Sequence, residues 1–398
     1  MTASEANCSH ALARTWRVLR AATWRWLYLR PMKLLTRVSA LSEWTDRFFT
    51  RYLARKGRLQ RLQLDAYRSY GTATKFYIKG RLLSDRGLQP QTATDSGWRN
   101  FRSMVRRFNS REIAGAELVA TLPDGSQHLV NTDDEGYFTL ILEPHALPAP
   151  TAYLWYPIAV RVARLPAPFA TSQPTVQATA SVLVPPPEAE FGVISDLDDT
   201  VFETRATNVL RMLARTLLSN AHSRQPFEGV AAFYRQLQRG RTGRPDNPFF
   251  YVSSSPWNLY DMLEEFMGLH ELPPGPMLLR DFTLGTPRTT PPPGITGSAA
   301  VHFAHKLHEI NDILTTYPSL PFVLLGDSGQ EDARIYREVV RRHPGRIKAI
   351  YIRDVQVPAR ALLVGPTIEE LKTAGVPMLL VPDYAAAAAH AAGLGLVV

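Results

Sequence analysis

The sequence holds a single cysteine, Cys8, in 398 residues. That excludes a disulfide framework and any zinc site built on cysteines, and it suits a reducing compartment. No apolar run approaches the roughly 20 residues that cross a bilayer, which argues against an integral membrane protein. A basic stretch followed by a short apolar one is missing from the N-terminus, so a cytoplasmic rather than a secreted protein is expected. Acidic residues are scarce at one end only. Residues 1–62 carry 3 Asp and Glu against 13 Lys and Arg, while the other 336 residues hold 33 against 32. A neutral body with a strongly basic front end calls for an anionic partner, either a lipid surface or nucleic acid.

What is present divides into three zones, as the length of two or three domains allows. Residues 1–62 have helical spacing. Leu12, Trp16, Leu19, Trp26 and Leu27 share one face of a helical wheel, with Arg14, Arg17 and Arg25 opposite. Pro31 interrupts the pattern, and a second helical stretch runs from about Leu41 to Leu62. Such a segment can dock its apolar face on the next domain, or lie in a membrane interface with its rings among the headgroups and its guanidinia on lipid phosphate. Nucleic acid is the weakest of the three partners, so an anionic membrane is kept as the partner to test and a peripheral site on the inner membrane surface as the location.

From 63 to 184 the pattern is extended. Alternating runs at Thr74–Leu83, Glu117–Leu122, Tyr137–Leu142, Trp155–Ala163 and Thr175–Val184 are separated by turn residues such as Asp124-Gly125 and Glu135-Gly136. This spacing predicts a small β-sandwich, with Gly87–Asn109 as a long loop. Nothing in the zone gathers catalytic residue types, so a structural or recognition role is expected. Residues 185–190, three prolines and Glu188-Ala189-Glu190, read as a stiff linker.

From 191 to 398 strand and helix patterns alternate, which predicts an α/β domain with a parallel sheet flanked by helices. Strands are expected at Phe191–Ser195, Phe249–Val252, Met277–Leu279, Phe322–Leu325, Ile347–Ile352 and Met378–Val381. Helices are expected at Thr207–Leu218, Val230–Arg239, Trp257–Met267, Lys306–Thr315, Asp332–Arg342 and Thr367–Ala374, with a small cap between Val201 and Asn247.

The chemistry gathers where those strands end, the edge at which open α/β sheets bind ligands. The first strand ends in Asp196-Leu197-Asp198-Asp199 and the fourth in Gly326-Asp327, followed by Glu331 and Asp332. Carboxylates crowded on one edge repel one another unless a cation compensates, and hard oxygen ligands suit Mg²⁺. Between them, Ser253-Ser254-Ser255 ends the second strand with hydroxyls and N–H groups for an oxyanion, and Lys306, at the start of a helix, offers a fixed positive charge. Other roles have plain structural readings. Asp199 and Thr200 suit a loop or helix cap, Ser254 to Pro256 a cap for the helix from Trp257, Trp257 the core, and His302 and His305 packing.

Acid pair, hydroxyl, lysine and second acid follow the order of the haloacid-dehalogenase-like phosphohydrolases. The runs GVISDLDDT, FFYVSSSPWNLY, HKL and PFVLLGDSGQEDARIY, between 192 and 336, resemble the catalytic domain of the actin-patch phosphatidate phosphatases, a family of fungal enzymes with many bacterial relatives. The resemblance covers about 190–355. It implies a haloacid-dehalogenase-like fold and a Mg²⁺-dependent phosphatase acting on a lipid phosphate monoester. It further implies that Asp196 is the nucleophile and Asp198 the general acid/base. Ser253 and Lys306 would hold the phosphate, and the metal would sit among Asp196, Asp198, Asp327 and Asp332, with Glu331 the competitor for the last position. A soluble phosphomonoester or phosphoprotein substrate, and a non-catalytic membrane-binding module, are the alternatives.

Overall fold

A computed structural model of the chain describes residues 62–84, 111–122, 124–145, 154–166, 176–197, 227–280 and 295–398. The basic helices expected before residue 62, the loop expected at 87–109 and the helix expected at 207–218 lie outside the described residues. The described residues all fall in one compact unit, which contains two sheets.

The first sheet is mixed and mostly antiparallel. Its strands are β1 (Leu62–Ala66), β2 (Ser69–Gly71), β3 (Phe76–Ser84), β4 (Arg111–Glu112), β5 (Glu117–Thr121), β6 (Gln127–Asn131), β7 (Tyr137–Leu142), β8 (Trp155–Arg164) and β9 (Gln177–Leu183). The order is β1-β3-β2-β9-β8-β5-β6, and β4 and β7 also pair with β3. Only the short β2–β9 pairing is parallel. The long strands follow the expected alternating runs. β6 has no buried residue and closes one edge, which is why its polar sequence gave no strand signal.

The second sheet has six parallel strands in the order β12-β11-β10-β13-β14-β15. They are β10 (Gly192–Ser195), β11 (Phe249–Pro256), β12 (Met277–Arg280), β13 (Phe322–Asp327), β14 (Ile347–Arg353) and β15 (Met378–Val381). Their side chains alternate between two cores, as a sheet covered on both faces requires. Val193, Phe249, Tyr251, Val323 and Leu325 face one cluster, while Ile194, Phe250, Val252, Leu324 and Ile350 face the other. Helices α1 (Val230–Arg239), α2 (Tyr260–Leu269) and α6 (Tyr384–Gly393) fill the first side. The second is filled by α3 (Gly297–Thr316), α4 (Asp332–Arg342) and α5 (Pro358–Thr373). Helix α1, expected within a cap, packs Phe233 and Leu237 against the sheet instead.

Three further expectations need correction. Lys306 does not open a helix, because α3 begins nine residues earlier at Gly297. Ser254 to Pro256 do not cap a helix, because β11 continues through them and the 3-10 turn Trp257–Leu259 has no side-chain cap. Helix α6 was not expected at all.

The two sheets meet around β11 and α2. Tyr67 stacks on Trp257 at 4.8 Å between ring centroids, which makes Trp257 a core residue. The Arg68 N–H donates to the Tyr260 hydroxyl at 2.8 Å, and Arg81 reaches Asn258 at 2.6 Å. Tyr317 donates to the Gly71 carbonyl at 3.0 Å.

Candidate active site

Sequence neighbours β10, β11 and β12 run to one side of the parallel sheet, and β13 starts the other side. The direction of winding therefore reverses between β10 and β13, and an open sheet leaves a crevice beyond the strand ends at such a reversal. Asp196 directly follows β10, and Asp327 ends β13. Local chemistry makes room for a third acid there. Asp332, the first residue of α4, leans back so that its Oδ2 accepts the Asp327 N–H at 3.1 Å. Gly326 permits this approach, because a Cβ at 326 would lie 2.7 Å from Asp332 Oδ2 and 2.9 Å from the Tyr336 ring. Asp327 Oδ1 accepts the N–H groups of Gly329 and Gln330 at 2.5 and 3.1 Å, which fixes its carboxylate within the turn.

Lys306 arrives from the middle of α3, beside Phe303 and Leu307, which anchor the helix on the sheet. Its Nζ lies 3.0 Å from Asp196 Oδ1 and 2.6 Å from Asp332 Oδ1, and 3.4 Å from Gln330 Oε1. Burial alone would favour a neutral amine, but Asp196, Asp332 and Asp327 outweigh it and hold the ammonium pKa well above its ordinary value. All four charged groups are nearly sealed from solvent, none more than 3% exposed.

One oxygen from each of Asp196, Asp327 and Asp332 lies within 4.8 Å of the others. Three ionised carboxylates against one ammonium leave a charge of −2 in a buried place. A hard oxygen donor set with that excess of negative charge fits a cation. Glu331 is not among them. It pairs with Arg334 at 3.0 Å, outside the triad.

Of the residues singled out from sequence, the structure thus brings together Asp196, Lys306, Asp327 and Asp332. Asp198 lies outside the described residues, with Asp199 and Thr200. Ser253 is buried within β11, three residues before its end, where its Oγ accepts the Ser255 N–H at 2.9 Å and its carbonyl lies 3.1 Å from His305 Nε2. His302 is also on α3. Burial, then the charges of Arg280 and Lys306, lower its pKa to about 4, so it is neutral near pH 7.

Sequence alone did not single out the groups that hold the Asp196 backbone. Ser195 Oγ lies 2.7 Å from the Asp196 carbonyl and 2.7 Å from the Tyr234 hydroxyl. The Asp196 N–H donates to the Leu325 carbonyl at 2.9 Å, and Tyr336 donates to the same carbonyl at 2.7 Å. The only sequence signal was a serine at the end of an otherwise apolar strand.

Comparison with known proteins concentrates on this region. Residues 191–354 match the family model described as Phosphatidate phosphatase APP1, catalytic domain. The chain is 33% identical over 163 residues to Phosphatidate phosphatase APP1 of Saccharomyces cerevisiae, covering 41% of this chain and 26% of that protein. It is 31% identical over 169 residues to an uncharacterised protein of Schizosaccharomyces pombe, covering 42% of this chain and 25% of that one. The chain thus spans about a quarter of the length of the curated relatives it matches. A solved β-glucuronidase of Bifidobacterium dentium aligns with 80% of this chain and 52% of its own at 9% identity, but its TM-score of 0.25 carries no weight for fold or function. The matched segment runs from the residue before β10 to the one after β14 and contains the whole acid–lysine cluster, so the likeness to the phosphatidate phosphatase APP1 catalytic domain falls on the site itself.

Proposed function

We propose that the chain is a Mg²⁺-dependent phosphatase with a haloacid-dehalogenase-like core, hydrolysing phosphatidate to diacylglycerol and phosphate. The observation that carries this is Lys306 set between Asp196 and Asp332, with Asp327 beside them, at the winding reversal of the family-matched segment. In this reading Asp196 Oδ attacks phosphorus in line as the ester P–O bond breaks, forming an aspartyl-phosphate. Asp198 gives its proton to the departing glycerol oxygen. It then takes one from water, whose oxygen attacks phosphorus and releases Asp196. Lys306 holds Asp196 in place and, with Ser253, meets the charge spreading over the phosphoryl oxygens. Asp196, Asp327 and Asp332 would hold the Mg²⁺, together with Asp198, and the ion when bound supplies Lewis-acid neutralisation of the phosphoryl group.

The sandwich-like sheet of 63–184 serves as a non-catalytic domain, joined by 185–190 to the catalytic domain of 191–398. Residues 1–62 are assigned to contact with an anionic membrane on its cytoplasmic side, since they carry the excess positive charge. Among the described residues, no helix is long and apolar enough to cross a membrane. A phosphate-release screen of the purified protein against phosphatidate, lysophosphatidate, inositol lipids and soluble sugar phosphates tests the assignment. Preference for a soluble ester would reject the lipid substrate, and release from none of them would reject the phosphatase.

A further inference from the structure

Beneath the acid cluster lies a buried chain of hydroxyl groups whose direction follows from counting protons. A serine hydroxyl has one proton. Ser195 Oγ directs it at the Asp196 carbonyl, 2.7 Å away. The contact of 2.7 Å between Ser195 Oγ and the Tyr234 hydroxyl must then use the tyrosine proton. Two hydroxyl protons therefore point one way, from Tyr234 through Ser195 to the main chain of Asp196. Both residues are buried.

The other side of Asp196 is held as firmly. Its N–H donates to the Leu325 carbonyl at 2.9 Å, and that carbonyl also accepts the Tyr336 hydroxyl at 2.7 Å. The Asp196 N–H belongs to the peptide plane before its Cα, and the Asp196 carbonyl to the plane after it. With both planes tied, φ and ψ of Asp196 are set, and so is the direction in which its carboxylate leaves the backbone.

We propose that Ser195 and Tyr234 are positioning residues, which fix the main chain of Asp196 so that its carboxylate meets the reacting phosphorus in line. The inference rests on the assignment of Asp196 as nucleophile. Misplacement of a reacting group by a fraction of an ångström is costly, and a shift of about 1 Å can cost 10²-fold. Ser195→Ala and Tyr234→Phe should each lower kcat on the order of tenfold with KM unchanged, while Ser195→Thr, which keeps a hydroxyl, should restore it. The double variant should be no slower than Ser195→Ala, since Tyr234 acts only through Ser195.

The measurements are kcat and KM on phosphatidate in mixed micelles, below the melting temperature of every variant, and deuterium exchange at the amides of Asp196 and Leu197. Exchange should be faster in Ser195→Ala and Tyr234→Phe than in the unmodified protein or Ser195→Thr. A merely structural role predicts lower melting temperatures with kcat unchanged, and that result overturns the proposal. If Ser195→Ala fails to fold, Tyr234→Phe decides alone. If the unmodified protein releases no phosphate, the phosphatase assignment fails on its own terms, and the exchange rates still decide whether the hydroxyl chain holds Asp196.

Discussion

Lys306→Met is the sharpest perturbation of the site, because methionine keeps the length and apolar stem of lysine and removes only the charge. The ammonium is 3% exposed and lies 3.0 and 2.6 Å from two carboxylates. At an effective dielectric of about 20, each contact is worth roughly 5–6 kcal/mol before solvation is counted. Desolvating the ammonium takes several kcal/mol back, and breaking a buried ion pair costs a net 3–5 kcal/mol or so. The substitution leaves three buried carboxylates facing one another. In chelator the variant should melt on the order of 10 °C below the unmodified protein. Adding Mg²⁺ should recover part of that loss, because a dication placed among the carboxylates supplies the missing charge. At 100 times its Kd a ligand stabilises by about 2.7 kcal/mol. Turnover should stay depressed by about 10²–10³-fold even at saturating Mg²⁺, since the metal cannot replace a fixed donor to the phosphoryl group. Differential scanning calorimetry with and without Mg²⁺, beside phosphate release, separates the two effects. An unchanged melting temperature in chelator would refute the charge coupling, and turnover within a factor of a few would remove Lys306 from the chemistry.

Three other outcomes can be checked. Asp196→Asn should lose on the order of 10³-fold or more in turnover with circular dichroism unchanged, and near-normal turnover in the folded variant would end its assignment as nucleophile. Burial, with Asp261 and Glu264 nearby, pushes Asp65 up from 3.8 to about 6. The native state thus holds a proton that the unfolded chain releases, so this contribution is whole below about pH 3.8 and lost as the pH rises through about 6, for a total of about 3 kcal/mol. Asp65→Asn should flatten that part of the urea stability profile, and an unaltered slope would count against it. Deleting residues 1–62 should weaken binding to anionic liposomes and slow phosphatidate turnover while sparing a small soluble ester. Equal loss of both activities together with stability would point instead to a docked helix.

Much of the parallel sheet was legible because its strands are short apolar runs and its better helices show one apolar stripe. Val230–Arg239 and Asp332–Arg342 have the ends expected of them, since polar and apolar faces contrast strongly in both. Helix α6 was illegible for the opposite reason: the alanine run of Tyr384–Gly393 looks alike on every face. Helix α3 starts nine residues before the position its sequence predicts, and this changes the setting of Lys306. A lysine at a helix start would stand at a rim; from mid-helix, between Phe303 and Leu307, it is driven sideways into the buried cluster.

Motif order also names the groups that meet without saying which neighbour turns inward. Glu331 competes in the sequence with Asp332 for the last position, since a carboxylate spaced four or five residues beyond Asp327 reaches back across the same turn. Successive helical residues point about 100° apart, so only one of the two can face the strand end. Gly326 decides which. Its missing side chain leaves the gap that the Asp332 carboxylate fills, and there Asp332 meets both the Asp327 N–H and Lys306. Glu331, one position earlier at the N-cap, turns away to Arg334. The glycine before Asp327 looks in the sequence like a strand-end turn, yet its physical role is to admit the second acid.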